Sequence, residues 1–298
     1  MLEILSTSSG NCPRVLLSVG IHGDETAPIE LLAEILSSIL DEPSRLQADL
    51  LVVVGNPDAI AQEKRYIDVD LNRLFHAAVA ADKESREKTR ALAIMRTVAE
   101  FFSVAGRKMH LDLHTAIRAS RYPSFAIVPA ALAEQEKQGM AAWLGTAGVD
   151  AAVMNRQPAR TFSAYTADRF ASISATVELG KIGKLGENDL SGFTRMKNAL
   201  KALLISGWKS APEGGGSPKI FEVAREIVKH SDAFRMALDA SVENFTPLRS
   251  GTEIARDGER IYRVEAETEY ILFPNPDVAV GQRAGLMAVM RPPTMTVT

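Results

Sequence analysis

Two short aliphatic runs, Val15-Leu16-Leu17-Ser18-Val19 and Leu50-Leu51-Val52-Val53-Val54, constrain this 298-residue chain more than anything else in it. Both are rich in β-branched residues, and each stops at or just before a glycine, Gly20 and Gly55. Runs this short and almost uniformly apolar suit strands covered on both faces of a sheet. Between them, residues 27–40 repeat apolar side chains at Ile29, Leu32, Ala33, Leu36 and Ile39, a helical spacing that tolerates Pro28 in its first turn. Residues 83–102 predict a second helix, with Leu92, Met95, Val98, Ala99 and Phe102 on its apolar face. Further strands are expected at 109–113, 125–128 and 175–179. Strands alternating with helices predict an α/β fold. Its sheet is mainly parallel and mixed, flanked by helices, with functional groups at the carboxyl ends of the strands.

The composition changes after residue 210. Ala211-Pro212-Glu213-Gly214-Gly215-Gly216-Ser217-Pro218 is dense in glycine and proline and reads as a linker or loop. Beyond it, 220–229 alternates in the manner of a strand, and turns at Arg256-Asp257-Gly258 and Phe273-Pro274-Asn275-Pro276 punctuate the remainder. The expected organisation is a catalytic domain over 1–210, a linker or loop over 211–218 and a smaller β-rich domain over 219–298. Charge is well mixed along the chain, with a net value of −3, which offers no basic tract to nucleic acid or to a membrane surface. No basic segment leads into an apolar one at the start, and no apolar run nears the roughly 18 residues that span a bilayer. A cytoplasmic protein is expected. Cys12 is the single cysteine, which excludes an intrachain disulfide and a cysteine-based zinc cluster.

The run ending at Val19 leads into Gly20-Ile21-His22-Gly23-Asp24-Glu25, and a further histidine follows about 90 residues later in Leu111-Asp112-Leu113-His114. His-x-x-Glu at a strand exit, completed by a distant histidine, offers two imidazoles and one carboxylate to a tetrahedral zinc. The fourth position stays open for water, whereas a structural site would be closed by four protein ligands. Gly20 and Gly23 let the backbone turn sharply after the strand, and Asp24 adds a carboxylate suited to orienting a ligand. His110, Asp112 and His114 alternate and so share one face of a strand. His110 competes as the third ligand, and His114 is preferred because it lies nearer the strand end. Glu178 sits inside the apolar run 175–179, where a buried charge needs a partner or a metal.

Taken together, Ile21 to Glu25, Gly55 to Phe75 (which holds Arg65 and Asp70-Leu71-Asn72-Arg73), Leu111 to Arg118 and Thr176-Val177-Glu178-Leu179-Gly180-Lys181 resemble the succinylglutamate desuccinylase/aspartoacylase family of zinc-carboxypeptidase-like enzymes. Segments 242–246, 273–276 and 281–286 are similar to the desuccinylase branch, so the resemblance spans nearly the whole chain. It implies one zinc per chain on His22, Glu25 and His114. It also implies Glu178 as the general base that takes a proton from water and delivers it to the departing amine. Arg65 would stabilise the oxyanion. Asn72 and Arg73 would hold the α-carboxylate of the amino-acid half, a planar match for guanidinium. Tyr165 and Arg169, four apart, are similar to an aspartoacylase pair that helps hold the acidic substrate.

The implied activity is zinc-dependent hydrolysis of N-succinyl-L-glutamate to succinate and L-glutamate in arginine catabolism, with a small acidic N-acyl amino acid as the partner. Rivals within the fold are an aspartoacylase-like N-acyl-amino-acid deacylase and a carboxypeptidase. A non-catalytic zinc-binding scaffold is the rival from another class, and it needs neither Glu178 nor Arg65. N-succinylglutamate carries three carboxylates, so further cations are expected around it, with Arg118, Arg121, Arg169 and Lys181 as candidates for the succinyl end. Neither nucleic acid nor membrane is expected as a partner, and a homo-oligomer is compatible with the sequence.

Overall fold

The computed structural model describes residues 1–6, 12–208 and 216–291. After a short edge strand, β1 (Leu2–Ile4), the two aliphatic runs form β2 (Arg14–Val19) and β3 (Asp49–Val54), with α1 (Ala27–Leu40) between them. A short helix, α2 (Pro57–Ala61), and a longer one, α3 (Arg86–Phe101), lead to β4 (Lys108–Ala116). Then follow β5 (Ser124–Val128), α4 (Glu134–Thr146), β6 (Ala151–Met154), α5 (Phe162–Phe170), β7 (Ile173–Lys181) and α6 (Thr194–Ser206). β2 pairs in parallel with β3 and β4, β4 with β7, and β5 with β6, while β5 runs antiparallel to β7. This is the expected mainly parallel, mixed sheet flanked by helices.

Two helical faces differ from expectation. The buried stripe of α1 is Leu31, Leu32, Ile35 and Ile39, with Ala33 exposed and Ile29 and Leu36 half-buried. Helix α3 starts at Arg86 rather than 83, behind an N-cap Ser85 whose hydroxyl accepts from Lys88 N. Its stripe is Ala91, Ile94, Val98 and Phe101, and Leu92 faces solvent. The helix is turned because Glu87 and Lys88 point inward to polar partners: Lys88 Nζ donates to the carbonyls of Ala80 (2.8 Å) and Asp82 (2.7 Å) and to Glu84 (2.6 Å).

The two faces of the central strands carry different chemistry. On one, alternate residues such as Val15, Leu17, Leu111, Leu113, Ala175 and Val177 join the core formed with α1, α4 and α6. The other presents Ser18, His110, Asp112, His114, Ser174, Thr176 and Glu178, all buried. Register aligns Ser18 with Asp112 and Thr176, and His114 with Glu178. A polar stripe thus crosses β2, β4 and β7 and ends at their carboxyl edge.

Residues 216–291 hold strands and no helix: β8 (Lys219–Val228), β9 (Phe234–Met236), β10 (Thr246–Arg249), β11 (Glu253–Asp257), β12 (Arg260–Arg263), β13 (Thr268–Leu272) and β14 (Arg283–Met290). β8 pairs in parallel with β6, and β14, β13 and β10 add antiparallel strands, extending the sheet to eleven. β9, β11 and β12 form a separate antiparallel sheet, and Ile227, Phe234, Ile254, Ala284 and Met287 supply a core of this region's own. Of the glycine-rich run 211–218, residues 211–215 lie outside the described residues, and 216–218 have no regular structure. No helix among the described residues is long and apolar enough to cross a membrane.

Candidate active site

Backbone geometry at the exit of β2 sets the site. Gly20 has φ +62°, and a Cβ on Gly23 would lie 2.2 Å from the Ala59 carbonyl carbon, so both turns exclude larger residues. Gly23 N donates to the Arg65 carbonyl at 3.1 Å, which draws the Arg65 loop onto the His22 turn. His22, Glu25 and His114 are all buried, and one potential ligand atom from each lies within 4.8 Å of the others. His22 Nδ1 is 2.8 Å from Glu25 Oε1, and His114 Nδ1 is 2.7 Å from Glu25 Oε2. Thr115 N donates to Glu25 Oε2 at 3.2 Å, and Arg65 Nη1 donates to Oε1 at 2.8 Å.

The outer nitrogens of both rings meet carboxylates: His22 Nε2 is 3.0 Å from Asp70 Oδ1, and His114 Nε2 is 3.0 Å from Asp112 Oδ2. Asp112 holds the proton of His114 on Nε2 and turns its Nδ1 lone pair inward, whereas His22 Nε2 faces Arg65 Nη2 at 3.0 Å as well as Asp70. Nδ1 of both rings thus meets the Glu25 carboxylate at hydrogen-bond distance, an arrangement that protons or a shared cation can satisfy. Burial alone would lower both histidines, yet Glu25 and Asp70 raise His22, and Asp112 and Glu25 carry His114 well above the usual range. Burial likewise raises the Glu25 carboxyl, but the two rings outweigh it and leave it well below the carboxylate range. Two nitrogens and a carboxylate at this spacing fit zinc, with His22, Glu25 and His114 as holders.

Glu178, beside His114 in the register, is 8 % exposed, and its Oε2 is buried with no hydrogen-bond partner among the described residues. Burial pushes its carboxyl up to about 7. An unpartnered buried carboxyl poised near neutrality is what a proton carrier needs.

The loop carrying Arg65, Asp70, Asn72 and Arg73 is pinned by Glu87, a residue that motif reading passed over. Its carboxylate accepts from the backbone N–H of Ile67 (2.7 Å), Asp68 (3.2 Å) and Val69 (3.3 Å) and from Asn56 Nδ2 (3.1 Å). Asn72 is buried, and its Oδ1 accepts from Phe162 N at 2.8 Å, which leaves its amide N–H groups for a ligand. Arg73 extends from the same turn, 3.7 Å from Asp70 and exposed.

Some sequence expectations change here. The orienting carboxylates are Asp70 and Asp112, not Asp24, whose Oδ1 has no partner among the described residues. His110 shares the face of His114 but bonds to Ser18 and Thr166, away from the ligand cluster. Tyr165 packs against Phe75 and Phe170 with the exposed Arg169 nearby, and neither joins the described hydrogen bonds and ion pairs of the cluster. Of the other cations, Arg118 donates to the Ala240 carbonyl, while Arg121 and Lys181 are exposed.

The fold and site define a class, an α/β protein with a buried histidine–glutamate cluster and an unpartnered glutamate at the exits of its parallel strands. The chain belongs to the succinylglutamate desuccinylase/aspartoacylase family. Residues 11–204 match the family's catalytic domain and 216–291 its barrel-sandwich hybrid domain. A succinylglutamate desuccinylase of Burkholderia pseudomallei (strain 1710b) is 44 % identical over 282 residues, covering 92 % of this chain and 79 % of that protein. The solved structure of the desuccinylase from Chromobacterium violaceum is similar with a TM-score of 0.83 at 39 % identity, covering 98 % of this chain and 89 % of that one. One from Vibrio parahaemolyticus gives 0.88 at 30 % identity, covering 97 % and 85 %.

Proposed function

We propose that this chain is a zinc-dependent amidohydrolase that cleaves N-succinyl-L-glutamate to succinate and L-glutamate, a step of arginine catabolism in the cytoplasm. The observation that carries the reading is the convergence of His22, Glu25 and His114 beside an unpartnered Glu178. The substrate is inferred from the relatives, which bear the name of that reaction. Zinc, when bound, supplies Lewis acidity for the scissile carbonyl and acidifies water. Glu178 takes the proton of the attacking water and delivers it to the amine nitrogen as the amide collapses. Arg65, whose guanidinium reaches the ligand cluster, donates to the oxyanion. Asn72 and Arg73 hold the α-carboxylate, and Tyr165 with Arg169 faces the outer, acidic end of the substrate. A scaffold that only held metal would have no use for Glu178 in this state.

We also divide the chain functionally into a catalytic unit over 1–210 and a β-rich unit over 219–298. The test of the whole reading is zinc-loaded protein assayed against N-succinylglutamate, N-acetylglutamate, N-acetylaspartate and peptides, with metal content measured in parallel. The expected result is one zinc per chain and a specificity constant for N-succinylglutamate at least about tenfold above the rest, on the order of 1.4 kcal/mol of transition-state binding. A reversed preference moves the chain to the aspartoacylase side, and hydrolysis of none rejects the activity.

A further inference from the structure

We propose that Ser18 and His110 are positioning residues of the metal site: a buried hydrogen-bonded chain through them fixes Asp112 as an acceptor and so keeps the proton of His114 on Nε2 and its lone pair on Nδ1. The inference builds on the assignment of His114 as a ligand. The chain crosses two strands and a helix. Thr166 Oγ1 of α5 lies 2.7 Å from His110 Nδ1, and His110 Nε2 lies 2.8 Å from Ser18 Oγ. Ser18 Oγ lies 2.5 Å from Asp112 Oδ1, and Asp112 Oδ2 lies 3.0 Å from His114 Nε2. Thr166, His110, Ser18 and Asp112 are fully buried, so no bulk solvent can exchange for any of these partners.

Counting protons gives the chain a direction. An ionised carboxylate only accepts, so the single hydroxyl proton of Ser18 is committed to Asp112. Ser18 then has only lone pairs to offer His110, and His110 Nε2 must carry a proton. Burial pushes His110 down to about 4, so at neutral pH the ring holds no second proton and Nδ1 is a lone pair facing Thr166 Oγ1, whose one hydroxyl proton serves both Nδ1 and the Ser163 carbonyl at 3.0 Å. From the other side, Asp112 Oδ2 takes the Nε2 proton of His114, which leaves His114 Nδ1 aimed at Glu25. The alternative tautomer of His110 would set the Nε2 lone pair against the lone pairs of Ser18, whose proton is committed to Asp112, a conflict costly in a buried site. The ring of Phe162, with its centroid 4.4 Å away, holds His110 edge-on and keeps it from turning.

Long-range 1H–15N correlation of histidine-labelled protein reads these tautomers directly. His110 is expected as neutral Nε2–H from about pH 6 to pH 9, with Nε2 of His114 protonated, both in metal-free and in zinc-loaded protein. Chelator competition then measures the consequence. Ser18→Ala and His110→Met should each weaken zinc binding by about tenfold or more, as expected for a lost outer partner of a ligand. His110→Gln, whose amide can donate where Nε2 did, should stay within about threefold of the parent. A Nδ1–H tautomer for His110, or equal zinc affinity for His110→Met and the parent, overturns the proposal. Should His110→Met fail to fold, Ser18→Ala, which removes one oxygen, and the parent tautomers decide it. Absence of zinc uptake by the parent would instead reject the metal reading, and the tautomers of the metal-free protein would still judge the chain.

Discussion

A carboxyl whose pKa lies near 7 inside a protein states its own energetics. Glu178 has no hydrogen-bond partner for Oε2, and burial favours its neutral form. The folded-state pKa is raised above the unfolded value of 4.5, so its contribution to stability is full below about pH 4.5 and is lost as pH rises through about 7. In metal-free protein, Glu178→Gln should therefore raise Tm relative to the parent at about pH 8 and leave it nearly unchanged at about pH 4.5. Equal shifts at both pH values would mean that the carboxyl does not titrate in this window. Zinc beside it favours the carboxylate, so carbon-13 NMR of Glu178 should show its midpoint falling when zinc is added. The same substitution should leave zinc content and fold intact while lowering turnover by about two to four orders of magnitude, the span for a lost acid–base group. Near-normal turnover would place the base elsewhere.

Among the elements, α3 does more than pack. Its first turn supplies Glu87, the acceptor for three consecutive backbone N–H groups of the loop leading to Asp70 and Arg73. Glu87→Ala leaves those donors unsatisfied, with an expected loss of about 3 kcal/mol in denaturant unfolding, whereas Glu87→Gln keeps one acceptor and should cost less. A loss under about 0.5 kcal/mol for Glu87→Ala would show the loop holds itself. Glu87 also explains what periodicity could not read. A pattern that counts every charge as solvent-facing rotates α3 toward Leu92, because it has no way to represent an inward Glu87 and Lys88. β2, β3, β4 and β7 were legible because one whole face of each is aliphatic or nearly so. α4 was not: its first half is Glu-Gln-Glu-Lys-Gln, and its apolar residues start at Met140. α5 is short and buries Ser163 and Thr166, and β6 has only four residues. At the site, His22, Glu25, His114 and Glu178 could be named from spacing and resemblance. Asp70 as partner of His22 could not, since that pairing exists only once Gly23 binds the Arg65 carbonyl and folds one loop on the other.

The whole molecule brings the β-rich unit to the site's edge. The stretch after His114 is stitched to it: Asn244 N donates to the Ala119 carbonyl at 2.9 Å, Arg121 N to the Asn244 carbonyl at 3.2 Å, and Arg118 reaches the Ala240 carbonyl. Arg283, at the start of β14, has its guanidinium 3.5 Å from Glu226, and its pKa is lowered by burial and then by the charge of Arg73. Two guanidiniums within each other's field, relieved by long ion pairs to Glu226 at 3.5 Å and to Asp70 at 3.7 Å, are a cost in the empty protein and an asset for an anionic ligand. Function and stability should then move in opposite directions on Arg283→Gln. Without substrate the variant should match or exceed the parent in Tm. With N-succinylglutamate its KM should rise by about tenfold or more, the loss of one charge-assisted hydrogen bond, while kcat stays within about threefold because Arg283 is not among the charged partners of Glu178 or of the ligand cluster. The rise in KM should shrink at high salt, since screening weakens the attraction in the parent more than in the variant. An unchanged KM would confine Arg283 to a structural role within the β-rich unit, and substrate capture would then fall to the catalytic unit's own cations, Arg73 first among them.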